Sequence, residues 1–184
     1  MNFRYRPFAS MIRPATFGQQ LTFAASTEIA RPDSYDMSTT VPSLRRLMPE
    51  EAGYLFDLCQ ATMRGYVEQV WGAWNEAAVR AHLTERAQEG AFFMLLVRGE
   101  RVGAVAFERF DTHYQIEDLY VEPGSQGQGI GTFVVTHIIG MAMLENVPVR
   151  LRVLTSNPAR RLYERLGFEV VQSTSERYFL ERPS

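Results

Sequence analysis

Val121-Glu122-Pro123-Gly124-Ser125-Gln126-Gly127-Gln128-Gly129-Ile130-Gly131-Thr132 is the stretch on which the reading of this chain turns. An apolar, β-rich run, Tyr114 to Tyr120, precedes it. Phe133 to Leu144 follows, nearly all apolar and long enough for a buried helix. The order is strand, glycine loop, helix. Glycines at 127, 129 and 131 leave the loop without Cβ atoms, so a ligand can lie directly on the backbone. The first turn of the helix adds unpaired N–H groups and the positive end of its dipole. Together these predict an anion seat, most naturally for a phosphate or pyrophosphate.

Three phosphate loops compete for this pattern. A Walker A loop requires a lysine before its Ser or Thr, and here Gly131 runs straight into Thr132. The Rossmann fingerprint G-x-G-x-x-G needs its third glycine one place later than this G-x-G-x-G provides. The third pattern, Gln/Arg-x-x-Gly-x-Gly/Ala, is filled by Gln126, Gly129 and Gly131. In this loop the chain resembles the GCN5-related N-acetyltransferase (GNAT) family, whose members seat the pyrophosphate of coenzyme A there. Gln126 stands where many relatives have arginine, which a cradle of backbone N–H groups tolerates.

Composition sets the bounds. The 184 residues suffice for one domain with a substantial core. Hydrophobic residues make up 46% and charged residues 22%, ordinary for a globular protein. The formal net charge of −2 argues against a general nucleic-acid binder, which would carry a basic stripe. No apolar run reaches membrane-spanning length, so no membrane partner is expected. The single cysteine, Cys59, excludes an internal disulfide and a cysteine-based zinc cluster. A cytoplasmic location is the expectation. His82, His113 and His137 show no metal-ligand spacing, and no metal is expected.

Residues 1–40 differ from the rest. Arg4, Arg6 and Arg13 precede the first acid, Glu28, and no helical or strand period appears. The segment reads as a disordered leader or an upstream extension of the frame, with a transit peptide as the alternative. Residues 41–184 read as the folded domain. Leu44-Arg45-Arg46 is a short strand, and Met48-Pro49-Glu50-Glu51 opens a helix. Ala52, Leu55, Phe56, Cys59 and Met63 form its apolar stripe, with Cys59 a small buried residue on it. Arg64 to Trp74 is expected as an aromatic, charged connection, either a pocket wall or a packed corner. Asn75-Glu76 caps a second helix running to about Glu89.

Ala91–Val97, Arg101–Phe110 and Tyr114–Val121 read as an antiparallel meander. After the loop and its helix come a strand, Val149–Leu154, and a short helix capped by Asn157-Pro158. A closing hairpin, Phe168–Val171 and Tyr178–Leu180, ends the pattern. This order of elements is that of the GNAT fold. Asn157-Pro158-Ala159-Arg160-Arg161-Leu162-Tyr163-Glu164-Arg165-Leu166-Gly167-Phe168 resembles the family's C-terminal signature. The resemblance covers roughly residues 44–180. It implies an α+β, three-layer α/β/α fold with a mixed, mostly antiparallel sheet flanked by helices.

The resemblance also implies a reaction: acetyl transfer from acetyl-CoA to a primary amine, an acyltransferase of class EC 2.3.1.-. A small-molecule amine is the expected acceptor. A protein lysine or N-terminal acetyltransferase and a non-catalytic acetyl-CoA sensor are the alternatives, and homodimerisation is left open. An alkyl amine has a pKa of about 10, so a base, or a water chain leading to one, must take its proton. The oxygen that gains charge needs a fixed N–H donor, and the departing thiolate needs a proton.

By analogy, Leu119, Tyr120 and Val121 lie along the pantetheine arm. Gln126, Gly127, Gln128, Gly129, Ile130, Gly131 and Thr132 hold the pyrophosphate. Asn157 falls on the cofactor side by the same analogy, although it sits six residues before Tyr163 where many relatives have seven. A plain helix cap accounts for it equally. Tyr163 is the expected general acid toward the sulfur, with packing on the sheet as the alternative. Ile116 to Val121 resembles the strand of diamine acetyltransferases whose acids meet the amine. Glu117 is read as base or amine anchor, or else as a solvated strand-end carboxylate. Glu117 and Asp118 are adjacent in a strand and so are expected on opposite faces. Asp118, Tyr66, Glu68, Trp71 and Trp74 are the candidate acceptor contacts, since aromatic walls with an acid suit an amine cation.

Overall fold

A computed structural model describes residues 41–184. The expectation for residues 1–40 lies outside the described residues. The described unit runs β1 (Ser43–Arg46), a 3-10 turn (Pro49–Glu51), α1 (Ala52–Trp71) and α2 (Glu76–Gln88). The meander β2 (Phe92–Val97), β3 (Glu100–Phe110) and β4 (His113–Val121) follows. Next come α3 (Ile130–Leu144), β5 (Val149–Leu154), α4 (Arg160–Arg165), β6 (Glu169–Ser173) and β7 (Arg177–Arg182). The seven strands form one sheet in the order β1-β2-β3-β4-β5-β7-β6. Only β4 and β5 pair in parallel. Their connection passes through the glycine loop and α3, as a parallel crossover requires.

Two cores sandwich the sheet. Val134, Val135 and Ile138 of α3 pack with Val105, Ile116, Leu151 and Tyr163 on one face. Leu55, Phe56 and Cys59 of α1 and Leu83 of α2 pack with Phe92, Met94, Ala104 and Tyr120 on the other. Residues therefore alternate between cores along each strand, as the pleat dictates. The three-layer α+β architecture expected from the sequence is the one observed.

Two differences from the sequence reading bear on the site, beyond shifts of a residue or two at other ends. The expected connection Arg64–Trp74 is mostly helix, because α1 continues to Trp71. Gly65 suggested a break, yet a helical glycine costs only about 1 kcal/mol, and Val67 extends the buried stripe one turn beyond it. The helix stops instead at Gly72, left-handed at φ 75°, whose N–H reaches the Glu68 carbonyl at 2.8 Å. Pro158 also does not start α4. Asn157 Oδ1 accepts the Ala159 N–H at 2.9 Å, closing a separate turn, and the helix begins at Arg160.

Candidate active site

The site lies where β4 leaves β5. Pairing between them covers only Tyr114, Gln115 and Ile116 against Val149, Arg150 and Leu151. From Glu117 onward the β5-facing edge of β4 has no strand partner among the described residues, while β3 stays paired with β4 as far as Val121. Backbone groups of Leu119, Tyr120 and Val121 are thus presented to a widening gap. The opposite edge is tight at this level. A Cβ on Gly103 would collide with the Tyr120 carbonyl oxygen.

The glycine loop sits at the end of this strand. Gly127 and Gly129 have φ of 74° and 83°, left-handed values that L-residues rarely adopt. Gln126 Nε2 donates to the Val121 carbonyl at 3.0 Å and Gln128 Nε2 to the Gly124 carbonyl at 3.1 Å, tying both glutamines to the loop itself. Open space lies where side chains at 127 and 129 would stand. Gly131 instead backs onto Leu162 of α4, at 3.3 Å from where its Cβ would be. The Phe133 N–H bonds the Gly129 carbonyl at 2.9 Å. The amides before it from Gly129 to Thr132 have no backbone acceptor among the described residues. A bare loop ending in a helix start with unpaired amides fits the diphosphate the sequence predicted there.

Tyr163 is buried on the α3 side, edge-on to Phe168 at 5.8 Å between ring centres. Burial, and then the nearby Asp118 carboxylate, push its phenol up to about 12. The hydroxyl therefore stays protonated across the physiological range and can donate a hydrogen bond.

The two acids of β4 are not on opposite faces. Ala106 pairs with Asp118 but Phe107 with Ile116, so Glu117 is the extra residue of a β-bulge. Asp118 accepts the Tyr120 hydroxyl at 2.6 Å on the α1 side. Glu117 Oε2 takes Arg152 Nη2 at 2.5 Å. Arg152 stands between Leu151 and Val153, which both face the α3 core, so its side chain lies on the α1 side too. The bulge thereby brings Glu117 and Asp118 together. The Glu117 side chain is only 10% exposed, and its Oε1 has no hydrogen-bond partner. An unanswered carboxylate oxygen in so buried a place is costly without a ligand or water to satisfy it.

The other expected acceptor contacts are spread along and beyond α1. Glu68 is held by Arg64 at 2.8 Å in an exposed pair one helical turn away. Trp74 packs against the α1–α2 core, with its buried indole Nε1 unpartnered. The Arg177 guanidinium lies 5.2 Å from the Trp71 ring centre. The Tyr66 carbonyl accepts Ser156 Oγ at 3.0 Å, and Asn157 Nδ2 reaches Met63 Sδ at 3.8 Å. Asn157 is thus engaged as a turn cap and a strap to α1. Cys59 is buried and its thiol is pushed up to about 12 by burial, so it behaves as a core residue. Among the described residues no cluster of three or more His, Cys, Asp or Glu side chains is placed to hold a metal. No described helix is long and apolar enough to cross a membrane.

A glycine loop with left-handed residues, a parted strand pair and a buried tyrosine are the features to compare with known proteins. The Acetyltransferase (GNAT) family model matches residues 55–168, more than half of the chain. The chain belongs to the GNAT family. Acyl transfer is therefore its reaction class. Among solved structures, it is similar to a PaiA N-acetyltransferase from Thermoplasma acidophilum in complex with coenzyme A. That likeness has 15% identity and a TM-score of 0.61, over 78% of this chain and 99% of that one. It is also similar to Ard1 from Thermoplasma volcanium, with 20% identity and a TM-score of 0.56, over 78% and 97% of the two chains. A GCN5-related N-acetyltransferase from Rhodopseudomonas palustris shows 15% identity and a TM-score of 0.61, over 80% and 99%. No curated protein matches the chain in sequence. The structural likenesses show the GNAT fold.

Sequence reasoning missed Arg152 and Arg177. A signal was present: Val149-Arg150-Leu151-Arg152-Val153 alternates apolar residues with arginines, which marks a strand carrying cations on one face.

Proposed function

We propose that this GNAT protein transfers the acetyl group of acetyl-CoA to a primary amine of a small molecule, by direct attack with donor and acceptor bound together. The parting of β4 and β5 beside the glycine loop carries this reading. The amides of Gly127 to Thr132 suit the donor's diphosphate, and the free edge of Leu119, Tyr120 and Val121 suits its pantetheine arm. Acetyl-CoA supplies the activated acyl carbon.

The amine nitrogen spends its lone pair on the new C–N bond, and the C–S bond breaks with its pair left on sulfur. Tyr163, protonated at neutral pH, gives the sulfur a hydrogen bond and then a proton as the C–S bond breaks. A backbone N–H near Leu119 steadies the carbonyl oxygen as it gains charge. Glu117 Oε1 anchors the incoming ammonium and receives its proton directly or through water. A small acceptor is favoured because the second half of α1 is strapped down. Ser156 on the Tyr66 carbonyl, Asn157 on Met63 and Arg177 on Trp71 tie it to the β5–α4 turn and to β7.

The test is thiol release from acetyl-CoA across a panel of polyamines, amino acids, aminoglycosides and peptides. Wild-type protein should turn over at least one small amine. Tyr163→Phe should lose about 10²- to 10⁴-fold in kcat. An unchanged kcat removes Tyr163 from the chemistry. Turnover confined to peptides overturns the small-molecule assignment.

A further inference from the structure

Asp118 is the second acid of β4, and a residue two places along the same strand holds it. The Tyr120 ring lies in the α1–α2 core, 6% exposed and stacked on Phe92 at 6.4 Å between ring centres. A phenol buried this way needs a partner for its hydroxyl. The partner is Asp118 Oδ1 at 2.6 Å, the short bond that an ionised acceptor makes. Burial, and then the Asp118 charge, push the phenol well above its ordinary value, so it remains the donor. The hydroxyl engages one of the two carboxylate oxygens. Asp118 itself is partly exposed, and it pairs with Ala106 just past the bulge, where β4 has already parted from β5. Its charge is also felt at the phenol of Tyr163, which belongs to the α3-side core. Asp118 from the α1 side and Tyr163 from the α3 side thus address the same opening in the sheet.

We infer that Tyr120 is a positioning residue, whose hydroxyl holds Asp118 so that the second carboxylate oxygen, Oδ2, meets an N–H of the acceptor amine. This rests on the amine acetyltransferase reading above and adds to it a side chain that touches neither substrate. The bonds change as before: C–N forms, and C–S breaks with its pair left on sulfur. An ammonium gives up two protons on its way to an amide, and both go to Glu117 or water. Tyr163 gives one proton to sulfur and regains one from water. Asp118 accepts a hydrogen bond from the N–H that the nitrogen keeps, and neither Asp118 nor Tyr120 changes its proton count. A carboxylate pinned at one oxygen cannot swing away on its two torsions, so the attacking nitrogen is held in fewer orientations.

The experiment is a double-mutant cycle in the full chain, with acetyl-CoA and the best amine from the thiol-release panel, beside a melting curve for each variant. Tyr120→Phe removes one oxygen from a ring that otherwise packs as before. It should lower kcat/KM for the amine about 10-fold, the worth of a charge-assisted hydrogen bond. The KM for acetyl-CoA should hold, because the backbone of residue 120 is unchanged. Asp118→Asn should lower kcat/KM for the amine by about 10- to 100-fold. The double variant should be no slower than Asp118→Asn alone, since Tyr120 acts only through Asp118. Losses that multiply, or a Tyr120→Phe that raises the acetyl-CoA KM as much as it harms the amine, assign the hydroxyl to packing and overturn the inference. A Tyr120→Phe that fails to fold does the same. Full activity in Asp118→Asn overturns it without reference to Tyr120. Each of these results leaves amine acetylation standing. Calorimetric binding of acetyl-CoA by wild type with no turnover of any amine overturns the amine acetyltransferase reading and this inference with it.

Discussion

The two faces of the sheet are built from different materials. On the α3 side the proposed donor seat is backbone: left-handed glycines, unpaired amides and a strand edge released from its neighbour. On the α1 side the proposed acceptor contacts are side chains drawn from β4, β5, β7 and α1. A backbone site needs residues that are absent or small, and it tolerates drift everywhere else. A side-chain site depends on the identity and facing of each contributor. The first suits a ligand shared across a family, and the second suits a ligand peculiar to one member.

The sharpest way to break this contrast is Gly129→Val. It places a branched side chain at φ 83° in the open space of the loop. Losing two amide contacts to a charged diphosphate, each worth ~1.5 kcal/mol or more, should weaken CoA binding by about 10²-fold. Calorimetry with CoA, beside a melting curve showing the variant folded, measures it. Gly129→Ala, with the same strain and less bulk, should fall between. Full affinity in both would remove the loop from the donor site.

A smaller effect is expected between the two regions, at Gly103. Its position against the Tyr120 carbonyl leaves no room for a methyl group. Gly103→Ala should cost about 1–3 kcal/mol by overpacking. It should also shift β4 where both faces depend on it, so KM should rise for donor and acceptor alike. Denaturant midpoints and two-substrate kinetics check this. A rise in only one KM would show the faces to be independent at that strand.

The smallest effect concerns the α1 side alone. Glu51 accepts from both terminal guanidinium nitrogens of Arg45, Nη1 and Nη2, at 2.7 Å, joining β1 to the start of α1. That bond holds its carboxyl down at about 2, aided by the Met48 amide. A depressed folded-state pKa adds stability that is present above the ordinary 4.5 and disappears as the pH falls through about 2. Glu51→Gln should therefore melt below wild type at neutral pH, with the gap closing between pH 4.5 and 2. A gap independent of pH would exclude the ionised pair as its source.

The same contrast explains what could be read in advance. Gln126, Gly129 and Gly131 marked the loop proposed here for the donor, because a backbone cradle leaves its mark as glycine at fixed intervals. The order of strands and helices followed from apolar periods and turn residues, and the parting of β4 from β5 came with the family resemblance. Glu117 and Asp118 were visible as acids but not as neighbours. Strand alternation puts adjacent residues on opposite faces, and no residue type signals the one-place slip that overrides it. Arg152 and Arg177 were hidden for a related reason, since their value comes from a ladder between segments far apart in sequence. The length of α1 was obscured by Gly65, whose local cost was outweighed by packing beyond it.

The inserted residue in β4 lets one strand keep two independent phases. Before it, the alternation is locked to the pairing with β5; after it, the count restarts to suit Leu119 through Val121. Moving that slip by a single position would swap which polar side chains confront the acceptor while leaving the donor's half of the strand in step. On the proposed reading, a lineage could change its acceptor by editing one hiccup in a ribbon, without renegotiating its hold on the carrier.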